Sequence, residues 1–287
     1  IKDSDLSYRG SINSLFNYIF NESKKRINIA GSLSSKNLNL KSIIGVDENN
    51  EDKASAFYMT EYLNLNLGIT AKTLAYNNIY PNNLKGNLIL EKNYIKSNNL
   101  ELNVFGGKLF FDGKFYENEK NNFKLTSNMK LEKVDIKKAF SSFNNFGQDF
   151  IIDKHIKGIS NAQIISNMFW DKYLNLNYES IDVNSKISIE KGELLDFKPL
   201  ESLSSYVKLE DLARIKFSKL ENEIKIKDKI ILVPNMEINS SALSLIISGK
   251  HYFNQEYNYK ISLLLSELLA KRFRAKDKSF NPNDSCL

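Results

Sequence analysis

A chain of 287 residues with 42% hydrophobic and 26% charged side chains can bury a core, which excludes wholesale disorder. The apolar runs "IILV" (230–233) and "LIIS" (245–248) fall far short of the roughly 18 to 20 residues that cross a bilayer as a helix, which excludes a polytopic membrane protein. The 40 basic and 34 acidic residues leave a net charge of +6, but the two signs are interspersed, so they read as a solvated surface with at most mild attraction to anionic lipid.

In chain order, the start at Ile1, with no basic-then-apolar leader, reads as a processed or truncated piece whose anchor would lie upstream. Ile12, Leu15, Phe16 and Ile19 fall at i, i+3, i+4, i+7 and predict a short amphipathic helix. Strand alternation follows in "RINIAGSL" and, most strictly, in "LNLNLGIT" (63–70), then in "NLELNVF". "FGGKLFFDG" reads as a hairpin turn at Gly106 and Gly107 rather than a phosphate loop, since neither the spacing of one nor a following helix is present. A second helix is predicted over Ile136, Ala139, Phe140 and Phe143, closed by Gly147. "YLNLNYES", "SKISIEKG", "NEIKIKD" and "NMEINSS" continue the alternation, with further helices starting near Pro199 and over "SELLAKRF" from Ser266. The chain is mainly β with a few short helices.

One stretch repeats. "NLELNVFGGKLFFDGKFYENEKNNFKLT" (99–126) aligns without a gap on "NMEINSSALSLIISGKHYFNQEYNYKIS" (235–262), so that Gly113 meets Gly249, and Asn99, Glu101, Leu109, Lys114, Tyr116 and Asn122 meet their own residue type. A repeated strand unit covers its apolar face by adding to its neighbour's sheet, which predicts an elongated object. "HIKGISNAQI" (155–164) and "NLKGNLIL" (83–90) mark equivalent starts, giving an N-terminal β-rich segment over 1–83, a first unit over 84–150 and a second, incomplete unit over 151–287.

Catalytic and cofactor signals are sparse. His155 and His251 are isolated from any metal-ligand pattern and read as surface or edge residues. The one cysteine, Cys286, sits in a polar tail with no local histidine, so it forms no intrachain disulfide and reads as a free thiol. Acid pairs such as Glu221 with Glu223, or Glu48 with Glu51, fall in turns and strand starts, and basic residues are not gathered as a nucleic-acid surface requires. No catalytic residue, metal or cofactor, and no nucleic-acid partner, is expected.

Three stretches of the second half stand out in order: "FNNFGQDFIIDKHIKGISNAQI" (143–164), 187–253 with "KPLESLS", "IKFSKLEN", a strand with Val233 before Pro234 and "ISGKHYF", and "YNYKISLLLSELLAKR" (257–272). In them the second half resembles the C-terminal region of the AsmA family in its Bacteroidota form. The resemblance implies a strongly curved antiparallel sheet forming an apolar groove, related to bridge-like lipid-transfer proteins. It also implies a periplasmic body anchored to the inner membrane of a Gram-negative cell through an N-terminal helix absent from this chain. Phospholipid acyl chains, and possible protein partners in the envelope, follow as expected ligands, with lipid transfer between inner and outer membranes as the expected function.

The in-phase apolar positions are the candidate groove: Leu63, Leu65, Leu67 and Ile69; Leu100, Leu102 and Val104; Leu109 and Phe111; Leu174 and Leu176; Ile187 and Ile189; Ile224 and Ile226; Met236 and Ile238; Leu243, Leu245 and Ile247. The basic run "AKRFRAKDK" (270–278) is expected to face an acidic lipid surface or a partner. Alternation alone equally fits a closed sandwich core, and two other functions stay open: an outer-membrane assembly factor that holds no lipid, and a carbohydrate-active enzyme, for which no carboxylate pair stands out.

Overall fold

The computed structural model describes residues 4–20, 26–40, 56–118, 122–205, 208–240 and 244–263. The expected helix from Ser266, the basic run 270–278, Leu243, Cys286 and the pair Glu48 and Glu51 lie outside the described residues.

Thirteen strands form one sheet in simple chain order: β1 (Ser7–Asn13), β2 (Ile27–Asn39), β3 (Leu63–Ala75), β4 (Asn82–Glu91), β5 (Tyr94–Val104), β6 (Gly107–Glu117), β7 (Phe123–Asp135), β8 (Ile156–Trp170), β9 (Leu176–Leu195), β10 (Arg214–Lys227), β11 (Ile230–Asn239), β12 (Ser244–Tyr252) and β13 (Tyr257–Leu263). The sheet is curved and does not close, because β1 and β13 do not pair. All neighbours run antiparallel except β2 and β3, which run parallel. Short turns account for most of the antiparallel pairs, while β7–β8 and β9–β10 are joined through helical connections. At the β5–β6 corner Phe105 and Gly106 both take positive φ, +53° and +80°, and Val104 pairs with Gly107, the geometry of a two-residue hairpin whose twist suits its strands.

The repeated stretches fall on β5–β7 and β11–β13. Their middle strands carry Gly113 and Gly249 on the same face of the sheet, and the register slips between Ser97 and Leu100 in one copy and between Val233 and Met236 in the other, equivalent positions in the alignment. Each slip is a bulge, which flips the phase of the alternation and keeps the apolar side chains on one face.

Helices are few and short. The helix expected around Ile12 begins later, as α1 (Leu15–Phe20), while Ile12 ends up in β1; none of the α1 side chains is buried. The second is α2 (Ile136–Ser142), opened by the Asp135 carboxylate, which accepts from the Lys138 N–H at 3.1 Å. It runs into a 3-10 turn over Asn144–Gly147, so Gly147, at φ +69°, lies past the helix end rather than capping it. Near Pro199 the chain forms a 3-10 turn, Lys198–Leu203, followed by α3 (Leu209–Ala213).

Candidate functional site

Register assigns every strand residue to a face. From β3 to β13, Leu67, Leu88, Ser97, Gly113, Ser127, Ser166, Val183, Ile226, Ile231, His251 and Tyr257 are successive partners, and Gly31 and Gly10 extend that row into β2 and β1. The residues two steps away along each strand share this face, and they are overwhelmingly Leu, Ile, Val, Phe and Met. Eighteen of the twenty residues proposed from the sequence fall on it: the β3 set Leu63 to Ile69, Leu100, Leu102, Val104, Leu109, Phe111, Leu176, Ile187, Ile189, Ile224, Ile226, Met236, Ile238, Leu245 and Ile247. Leu174 does not. It sits in the β8–β9 turn at φ +62°, 40% exposed, because the strand begins only at Leu176.

No second sheet covers this face: among the described residues, every substantial strand-to-strand contact joins sheet neighbours. Among the described residues the sheet is therefore not one half of a closed sandwich. Part of the face is nevertheless covered by the chain's own connections. Phe140, Phe150, Phe197, Leu200 and Leu212 pack over the strand ends that carry Ile189, Ile215, Phe217, Ile238 and Leu245, making a conventional core there. A smaller cluster buries Leu102 and Val104 with Ala71, Leu74 and Leu84. Away from these caps, Leu65, Leu88, Phe111, Met129, Ile164 and Ile224 are only half-buried. That half-covered stretch is the candidate site.

One connection also passes over the apolar side. The parallel β2–β3 pair requires the chain to return from the end of one strand to the start of the next. On the last part of that return, Phe57 donates its N–H to the Lys172 carbonyl in the β8–β9 turn at 2.7 Å, and the Tyr62 carbonyl accepts from Ile27 at the start of β2 at 2.8 Å. The Phe57 side chain reaches Phe123, which stands on the apolar face of β7, so this segment lies on the apolar side of the curved sheet. The Phe57 ring packs on Phe123 at 5.3 Å, Phe123 stacks on Phe115 at 5.2 Å, and Trp170 meets Phe115 edge-on at 5.7 Å. Phe123 is fully buried in this knot and Met59 nearly so.

The opposite face is polar and pairs its charges. Glu101 lies between Lys85 and Lys108 at 2.9 and 2.7 Å, and Glu193 meets Arg214 at 2.8 Å. The Lys108 and Lys85 ammonium groups hold the Glu101 carboxyl below its ordinary value, and Arg214 does the same for Glu193. A concavity of about 880 Å³ lies on this face and is lined by Lys130, Glu132, Gln163, Lys186 and Glu223 among others. Two of its lysines are paired with its own acids, Lys130 with Glu132 and Lys186 with Glu223. Among the described residues no three His, Cys, Asp or Glu side chains gather as metal ligands, and no helix is long and apolar enough to cross a membrane.

Polar groups on the apolar face were missed by pattern reading. Ser97, Ser127, Ser166 and Ser185 are buried, and the Ser127 and Ser166 hydroxyls bond to each other at 2.7 Å. Ser185 donates to the Ile224 carbonyl at 2.9 Å. His251, read from sequence as a surface or edge residue, is 4% exposed; its ring lies among Phe150, Tyr257 and Tyr259, and its Nε2 has no partner. Burial pushes the Tyr259 hydroxyl up. A signal existed for Ser127, in phase between Leu125 and Met129, and for Ser166, in phase between Ile164 and Met168. Compared with known proteins, the chain matches no protein-family model, no curated protein and no solved structure at a significant level.

Proposed function

We propose that this chain is a lipid-holding trough of the AsmA type, which binds phospholipid acyl chains on its apolar face and passes them along between the two membranes of a diderm envelope, without catalysing a reaction. The observation that supports the reading is the predominantly apolar face that runs across thirteen strands, with no second sheet against it among the described residues. Half-exposed Leu, Ile, Phe and Met side chains gain about 25 cal/mol for each Å² withdrawn from water, or about 0.8 kcal/mol per buried methylene. Part of an acyl chain is therefore held by several kcal/mol without a shaped pocket. Register makes each strand present much the same surface as the next, so hydrocarbon meets no single deep trap. The polar face, with its paired lysines and acids, stays in water.

The test is mass spectrometry of lipids extracted from protein purified in mild detergent. Phospholipid at one or more molecules per chain supports the reading. A lipid-free preparation with an intact β signal in circular dichroism overturns it and leaves an assembly role in the envelope.

A further inference from the structure

Hydroxyls cross the apolar face in a single row. Ser97, Ser127 and Ser166 are 7%, 6% and 1% exposed, and with Gly113 they are direct register partners on four adjacent strands. Ser127 and Ser166 satisfy each other, but the Ser97 Oγ is buried with no hydrogen-bond partner. Beside it, the Phe111 ring lies over Gly113: a Cβ there would stand 2.5 and 2.7 Å from two ring carbons. The glycine thus makes room for the ring next to Ser97, on the face where the neighbouring Leu88, Phe111 and Met129 remain half-exposed.

A buried hydroxyl without a partner destabilises the protein that carries it. It becomes useful when a ligand brings an acceptor, and on a hydrocarbon-lined face that acceptor must arrive attached to hydrocarbon. An acyl ester carbonyl is the simplest group of this kind. We infer that Ser97, Gly113 and Ser127 form an ester-recognition site, in which the Ser97 O–H donates to the ester carbonyl of an acyl lipid once the Phe111 ring turns off Gly113. The Ser127–Ser166 pair fixes the far side of the notch. This rests on the trough reading and adds to it a preference for ester-linked over ether-linked chains.

The test uses the full chain, delipidated and equilibrated with vesicles of dioleoyl phosphatidylglycerol or of its dioleyl ether analogue, with bound lipid quantified after re-isolation. One net hydrogen bond corresponds to roughly a 2- to 10-fold difference in affinity. The wild type is expected to retain the ester lipid about 3-fold or more over the ether, Ser97→Ala to bind both at the ether level, and Ser97→Thr, which keeps the hydroxyl, to restore the preference. Equal retention of both lipids by the wild type overturns the site and leaves the trough standing. Retention of neither overturns the trough itself. A preference that survives in Ser97→Ala overturns the role of this hydroxyl.

Discussion

His155 shows how far single residues respond to their surroundings here. Its imidazole is partly buried beside the Phe197 ring at 6.1 Å, and its Nδ1 accepts the Ile152 N–H at 3.4 Å, which only a neutral ring can do. Burial, helped by the Lys154 charge, lowers its pKa from the usual 6.5 against a smaller opposing pull from Asp196 and Asp153. The folded chain therefore binds this proton less readily than the unfolded chain, so the contribution to stability is complete above about pH 6.5 and is lost as the pH falls through that value. Thermal melts between pH 7.5 and 5 should show a falling midpoint, and His155→Gln should flatten that slope. Glu101 and Glu193, held low by their cations, act in a separate window: their contribution is complete above about pH 4.5 and fades below it. At this scale the sequence was least informative. Burial of His251 and the missing partner of Ser97 depend on which residues stand across the sheet, and Ser97 is further masked because a bulge shifts the phase between it and Leu100.

Individual elements were more legible, for a physical reason. Strands with one dry face must alternate, so "LNLNLGIT" and "SKISIEKG" announced both their conformation and their buried side, and β3 and β9 present those residues as expected. "FGG" marked the β5–β6 corner because a two-residue hairpin needs positive φ. The helices were located only roughly, being at most about two turns long, with ends set by packing rather than by propensity. The parallel β2–β3 pair could not be read, since strand direction is decided by a connection and not by the pattern of either strand. Among these elements α2 offers a direct test. Asp135 supplies its N-cap, and the helix holds Ile136 and Phe140 over the C-terminal core. Asp135→Ala should cost about 1 kcal/mol in chemical denaturation, and Asp135→Ser much less.

Across the whole molecule the apolar face divides into a sealed part and an accessible part, and substitutions should respect the division. Leu65→Asp and Ile224→Asp place a carboxylate on the half-covered stretch; each should reduce retained lipid severalfold while the circular dichroism spectrum stays β-rich. Leu245→Asp buries a charge at a position 1% exposed under the caps, and should instead unfold the C-terminal half. Equal lipid retention by all three would assign the cargo to a different surface. The passage of the chain over the apolar side between Phe57 and Tyr62 carries a kinetic expectation for the proposed function. If lipid moves from one edge of the sheet toward the other, it meets a bottleneck where Phe57, Phe115, Phe123 and Trp170 are knotted together. Capacity then belongs to the open surface on either side, and throughput to this one strait: Phe57→Ala should speed exchange of fluorescent phospholipid between donor and acceptor vesicles while the amount carried at equilibrium stays the same.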